Sequence, residues 1–189
     1  MNKIKHLDCS LRDGGYYNNW DFDNDLINQY LQVLESINVD FCEIGFRFFN
    51  NNGFKGSCAF STEEFLNSLT IPENIKIAIM INANELISNG ELVIDRLKKL
   101  IPIKASQSKV DMVRVACHSE TIDKILPVFE FLHNYGYISC CNITKVSDKT
   151  KEKLKELSSL LLSTKVDILY FADSLGSSTP ESVEEIVKA

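Results

Sequence analysis

Near the start of the chain, Asp8-Cys9-Ser10-Leu11-Arg12-Asp13-Gly14-Gly15 puts a guanidinium, a carboxylate and two glycines where an apolar run ends. A buried strand cannot hold either charge cheaply, so Arg12 and Asp13 are expected at its exit, paired with each other, a metal or an anion. The glycines would let backbone approach a ligand closely. The bland alternative is a surface ion pair beside a turn. Later apolar runs end in a similar way, at Glu43, Asn82, Arg114 with His118, and Asn142. Cations, carboxylates, amides and an imidazole at one mouth suit a small anionic substrate and a hard metal ion. There Asp13 is a candidate oxygen ligand. Arg12 is a candidate clamp for a carboxylate or a developing enolate, with Glu43 holding its guanidinium. Structural readings stay open for the others. His118 could cap the next helix, Asn82 and Asn142 could satisfy loop backbone, and Arg114 could pair with a carboxylate. His6 and His133 read as structural.

The elements that must position these groups are legible as six apolar runs, 3–9, 39–46, 75–81, 110–116, 137–143 and 166–172, with starts 27 to 36 residues apart. That spacing suits successive strand–helix units. Between them, Leu26, Ile27, Tyr30, Leu31, Leu34 and Ile37 form one helical face, and Ile122, Ile125, Leu126, Phe129 and Leu132 another. Ser61-Thr62-Glu63-Glu64 reads as a capping box, and Thr179-Pro180 as an N-cap with Pro at the first helical position. The hydroxyls and free N–H groups of Ser174 to Thr179, entering that last helix, would suit a carboxylate or enolate oxygen. The Tyr16-Tyr17-Asn18-Asn19-Trp20 stretch reads either as a lid over the mouth or as packing against the first helix.

Strand parity separates two architectures. In the first strand Leu7, Cys9 and Leu11 oppose His6, Asp8, Ser10 and Arg12. In the second, Cys42, Ile44 and Phe46 oppose Glu43, Gly45 and Arg47, and in the fourth Val113, Val115 and Cys117 oppose Arg114, Ala116 and His118. One face is apolar throughout, and the other turns polar toward the C-terminal end. An open doubly wound sheet has helices on both faces and needs both apolar. A barrel has helices outside only, and its inner face can turn polar at the mouth. The pattern favours a TIM-type (β/α) barrel over a Rossmann-like sheet.

Composition bounds the rest. The chain has 189 residues, 44% of them hydrophobic, with a formal net charge of -6, which fits a single soluble domain over 1–189. The acidic balance argues against nucleic acid or an anionic membrane as the main partner. There is no membrane-length apolar run and no signal-peptide core, so a cytoplasmic location is expected. Six cysteines contain no C-x-x-C pair and read as reduced core thiols.

Together, Leu11-Arg12-Asp13-Gly14, Glu43-Ile44-Gly45-Phe46-Arg47, Val113-Arg114-Val115 with His118, and Ala172-Asp173-Ser174-Leu175-Gly176 resemble one family. It is the DRE-TIM metallolyases, the pyruvate carboxyltransferase-like or hydroxymethylglutaryl-CoA-lyase-like group. The likeness is greatest to the 4-hydroxy-2-oxovalerate aldolase-like branch, whose first motif runs on as Gly-Gly-Tyr-Tyr-Asn-Asn-Trp, here 14–20. The resemblance implies a TIM barrel with a divalent metal, Mn2+ or Mg2+, and a carbon–carbon lyase or aldolase acting on a small 2-oxo acid. By it, Asp13 matches the metal-binding acid, Arg12 the enolate-stabilising arginine, Glu43 the glutamate near it, and Ser174 a serine contacting the 2-oxo acid. Asn82, Arg114, His118 and Asn142 are then candidate substrate contacts.

Two departures qualify this. The family's His-x-His metal ligands on strand seven have no counterpart, because the chain contains no H-x-H and stops at Ala189, inside the expected sixth helix. A barrel needs eight strands and about 250 residues, so the expectation is an incomplete six-unit portion lacking strands 7 and 8. The aldolases also carry a base histidine where this chain has Tyr16, which is the catalytic candidate there while the general base stays open. A metal is therefore expected to be weakly bound or absent in this chain, lyase activity negligible, and a homo-oligomer to form through exposed sheet edges. A non-catalytic small-anion-binding or vestigial barrel fragment is the alternative.

Overall fold

The computed structural model of the chain describes residues 4–145, 150–174 and 176–188; Leu175 of the last motif lies outside them. Strand β1 (Leu7–Asp8) leads into α1 (Ser10–Asn18) and α2 (Asn24–Ser36). Then come β2 (Phe41–Phe46), α3 (Glu63–Ser68), β3 (Lys76–Asn82), α4 (Ala83–Leu86), and two short strands, β4 (Ile87–Ser88) and β5 (Glu91–Leu92). The chain continues through α5 (Ile94–Leu100), β6 (Val110–Cys117), α6 (Ile122–Asn134), β7 (Ile138–Thr144), α7 (Lys151–Leu162), β8 (Ile168–Ala172) and α8 (Pro180–Lys188). Each expected apolar run overlaps one strand of the main sheet, and β3, β6 and β7 each extend one residue past its end.

That sheet has the order β1-β2-β3-β6-β7-β8, parallel throughout, while β4 and β5 form a small antiparallel hairpin. A doubly wound sheet reverses its strand order at a switch point. Here each strand lies beside the one before it, and the order never reverses. This is a curled, six-strand portion of a TIM-type barrel, as the parity pattern predicts. Outside, the helices cover a large core that includes Ile27, Leu31, Ile79, Val113, Ile125 and Phe129. Inside, Phe41, Ala78, Met112 and Cys140 form a smaller apolar layer flanked by Leu7, Ile138, Ile168 and Tyr170. Three carboxylates latch neighbouring strands at their entry ends. Asp40 accepts the backbone N–H of His6 at 2.9 Å, Asp111 that of Ile77 at 2.9 Å, and Asp167 that of Ser139 at 2.8 Å.

Local chemistry corrects several expectations. The first strand ends at Asp8 and does not carry the 3–9 run onward, because the Asp8 carboxylate accepts both the N–H (3.1 Å) and the hydroxyl (3.0 Å) of Ser10. Such an Asx turn offers the backbone an alternative to the ladder. The chain leaves the sheet and coils into α1, so Arg12 and Asp13 sit on a helix and the alternation Asp8, Ser10, Arg12 is not a strand face. In β2 the register slips between Glu43 and Gly45. That bulge moves Phe46 to the inner face with Glu43, while Arg47 turns outward and is buried against Ser61 O, Leu100 O and Glu63. The capping box also shifts by one residue. Thr62 Oγ1, not Ser61, accepts the Phe65 N–H that starts α3, and Glu63 is drawn to Arg47 and Ser108.

The expectations for two helices hold in large part. Thr179 caps α8 with Pro180 at its first position. Ile27, Leu31 and Leu34 bury one side of α2, although Leu26 and Ile37 are exposed. All six cysteines are free thiols and five are buried, with desolvation pushing Cys58 and Cys140 up to about 12. Among the described residues no helix is long and apolar enough to cross a membrane.

Candidate active site

Above the inner apolar layer sits one fully buried carboxylate, Glu43. Arg12 Nε donates to its Oε2 at 2.7 Å, and Arg114 Nη1 lies 2.8 Å from both of its oxygens. Arg114 Nη2 donates to Asn142 Oδ1 at 3.0 Å, and the guanidinium lies over the Tyr170 ring at 4.4 Å. A lone carboxylate at this depth would cost several kcal/mol in desolvation. The two cations from β6 and α1 offset that cost and hold three elements together. Arg114 is itself only 6% exposed, and its Nε has no partner among the described residues. Cys9, which sequence reasoning left among the core thiols, accepts from Arg114 Nη1 at 3.4 Å. Burial first, and the Glu43 charge second, push its thiol up to about 11.

The Arg-Asp-Gly-Gly segment is held by the tryptophan after it. Trp20 Nε1 donates to Arg12 O at 2.9 Å, and a Cβ on Gly15 would fall 1.9 Å from the indole ring. Gly15 thus makes room for Trp20 rather than for a ligand. Tyr16 and Phe46 pack edge-on against Trp20, so the aromatic stretch is wall and packing at once. Arg12 Nη1 pairs with Asp13, whose side chain is 60% exposed.

Above Glu43 opens a cavity of about 680 Å3. Of the residues singled out in the sequence, Arg12, Asp13, Tyr16, Asn82, Arg114, His118, Asn142 and Ser174 all line it, and Glu43 lies beneath them. Asn82 also caps α4, its Oδ1 accepting the Asn84 N–H at 3.0 Å. His118 does not cap the following helical turn with its side chain; its Nδ1 meets Thr144 Oγ1 at 2.9 Å. Ser174 Oγ accepts the Lys145 N–H at 3.4 Å. One expectation fails here. The N–H groups of Ser177 (3.2 Å) and Ser178 (2.8 Å) are taken by the Asp173 carboxylate and are not free for an anion. Phe46, Met80 and Thr144 are lining residues that sequence reasoning missed. Thr144 shares the parity of Asn142 and needed only a strand read one residue longer.

The donor set does not make a divalent metal centre. Asp13 is bonded to Arg12, and among the described residues no group of three or more His, Cys, Asp or Glu side chains is disposed to hold a metal ion.

No protein-family model and no curated protein sequence matches the chain. Solved structures do. The N-terminal domain of a proposed aldolase from Bacteroides vulgatus superposes with a TM-score of 0.81 at 28% identity, covering 98% of this chain and 59% of that one. Hydroxymethylglutaryl-CoA lyase from Pseudomonas aeruginosa gives 0.72 at 14% identity, over 99% of this chain and 63% of that one. The carboxyl transferase domain of Rhizobium etli pyruvate carboxylase, solved with pyruvate and biocytin, gives 0.68 at 14%, over 100% and 33%. The chain thus spans less than two thirds of the length of these proteins. The neighbours are lyases and carboxyl transferases of the DRE-TIM group, and the resemblance first carried by the Arg-Asp-Gly, Glu43, Arg114 and Asp-Ser motifs extends to the fold of the whole chain.

Proposed function

We propose that the cavity receives a small 2-oxo acid and that the parent reaction makes or breaks a carbon–carbon bond beside its carbonyl, by retro-aldol or Claisen-type chemistry. The observation that carries this reading is the pair of guanidiniums converging on one buried carboxylate at the cavity floor. Glu43 neutralises one of the two cations. The second is left to meet an anion entering from above, with Asp13 as its present counter-ion. A 2-oxo acid would set its carboxylate against the Asn82, Asn142 and Ser174 side chains that line the cavity. Arg12 then faces the carbonyl oxygen. When the bond next to the carbonyl breaks, the electron pair moves onto that oxygen, and the fixed guanidinium stabilises the charge without rearranging. Tyr16 closes the side of the site.

A binding module that holds small anions without turnover is the second reading, favoured by the lack, among the described residues, of three grouped metal-ligating side chains. Calorimetry separates the two. Pyruvate should bind this chain in the millimolar range, propionate at least tenfold more weakly, and Arg114→Met should abolish binding. Mn2+ or Mg2+ alone should give no stoichiometric heat. Tight one-to-one metal binding would restore catalysis by the isolated chain as the better account, and equal affinity for propionate would remove the 2-oxo acid from either reading.

The sheet edges, β1 and β8, carry strand backbone with no neighbour in the sheet beyond them among the described residues. Such edges template pairing with another chain, so we propose association into a homo-oligomer. Light scattering at tens of micromolar should report at least a dimer, and a purely monomeric population would contradict it.

A further inference from the structure

The cavity has an anion clamp on its α1 and β2 side, where Arg12 and Tyr16 supply no ready proton acceptor and the Asp13 carboxylate is paired with Arg12. On the opposite side, His118 and Thr144 form a pair whose hydrogen bonds can be oriented. Thr144 Oγ1 lies 3.2 Å from the backbone carbonyl of Cys117 and 2.9 Å from His118 Nδ1. A carbonyl oxygen can only accept, and a threonine hydroxyl has a single proton to give. Both contacts are satisfied in one arrangement only. Thr144 donates to Cys117 O and accepts from His118, so Nδ1 carries the imidazole proton. The neutral ring then presents Nε2 as a bare lone pair. No described residue bonds Nε2, and His118 lines the cavity.

We propose that His118 Nε2 is the general base of this cavity and that Thr144 is the positioning residue that fixes its tautomer. The inference rests on the 2-oxo acid reading above. In the step it would serve, the C3–H bond of the bound acid breaks and its proton passes to Nε2. The electron pair forms the C2–C3 double bond, and the carbonyl oxygen takes the negative charge opposite Arg12. The imidazolium so formed returns a proton to C3, so the cycle closes without any other reactant. The base thus comes from the end of β6, while the position after Arg-Asp-Gly-Gly holds Tyr16 as wall.

The test combines a spectroscopic and a kinetic readout on the full chain. Long-range proton–nitrogen correlation spectra at mildly alkaline pH, where imidazoles are neutral, should show His118 protonated on Nδ1, with the resonance assigned by its loss in His118→Gln. Thr144→Ser should keep that tautomer. Thr144→Val should return the ring to the Nε2–H form that free histidine prefers. Deuterium exchange into the pyruvate methyl group, followed in heavy water, should fall roughly 100-fold in His118→Gln, the scale of a lost general base. Pyruvate affinity by calorimetry should stay within about threefold, since a base contributes to proton transfer more than to binding. An Nε2–H ring in the unmodified protein, exchange unchanged in His118→Gln, or no exchange by the unmodified protein would each overturn the assignment. If pyruvate still binds in those cases the ligand reading survives alone; if it does not, that reading falls as well.

Discussion

Glu43→Ala is expected to cost about 3–5 kcal/mol in urea denaturation, the range for breaking a buried ion pair on one side only. The loss would come from what stays behind. Arg12 Nε and Arg114 Nη1 both point at the vacated position, 2.7 and 2.8 Å from the missing oxygens, and would face each other across a dry floor. Arg12 keeps Asp13 as a partner, so the greater strain falls on Arg114, which is buried and retains Asn142, the weakly accepting Cys9 and the Tyr170 ring but no carboxylate among the described residues. The paired variant Glu43→Leu with Arg114→Met should recover most of that stability, because a well-packed apolar replacement for a buried pair is often neutral or better. A single-variant loss below about 1 kcal/mol would mean that water already reaches the floor and that the clamp is not dry.

Gly45→Ala should be nearly as damaging for a purely steric reason. A Cβ there would lie 1.8 Å from the carbonyl oxygen of Cys58, which belongs to backbone and has no rotamer to escape into. The bulge that turns Phe46 into the cavity aims Gly45 at the 3-10 turn Ser57–Ala59. Overpacking of this kind costs up to about 3 kcal/mol or more, which in a domain of this size lowers Tm by roughly 6–12 °C. Gly14→Ala is the matched control. Its Cβ would meet only Phe22 at an ordinary 3.7 Å, on a helix where glycine is unfavourable, so it should be neutral or stabilise by about 0.5–1 kcal/mol. Equal damage from both substitutions would remove the steric explanation.

The two glycines illustrate what was legible in the chain and what was not. Strand positions could be read because burial on both faces leaves long apolar runs, and the barrel because the inner parity turns polar at Glu43, Arg114 and Asn142. Convergence of the strand-borne residues Glu43, Arg114 and Asn142 followed from that pattern. Features decided by a single side-chain hydrogen bond were hidden. The Asx turn of Asp8 that ends β1 leaves no trace in hydrophobic periodicity, so Arg12 was placed on a strand and lies on a helix. The bulge after Glu43 inverts every later residue of β2, and its one trace in Glu43-Ile44-Gly45-Phe46-Arg47 is Gly45, a residue that often marks a bulge inside a strand. Arg47 and Arg114 look alike in sequence. One spends its donors on Ser61, Leu100 and Glu63 outside the sheet, and the other reaches the cavity.

The entry-end carboxylates suggest how such a sheet is held together. Asp40 joins β1 to β2, Asp111 joins β3 to β6, and Asp167 joins β7 to β8. Among the described residues no carboxylate bonds an entering N–H across β2–β3 or β6–β7. The three entry-end carboxylates thus fall on alternate strand pairs, β1–β2, β3–β6 and β7–β8. Each one fixes the register of its pair where the strands enter the sheet, far from the cavity, so a neutral Asn there should loosen strand pairing without touching the groups that line the site.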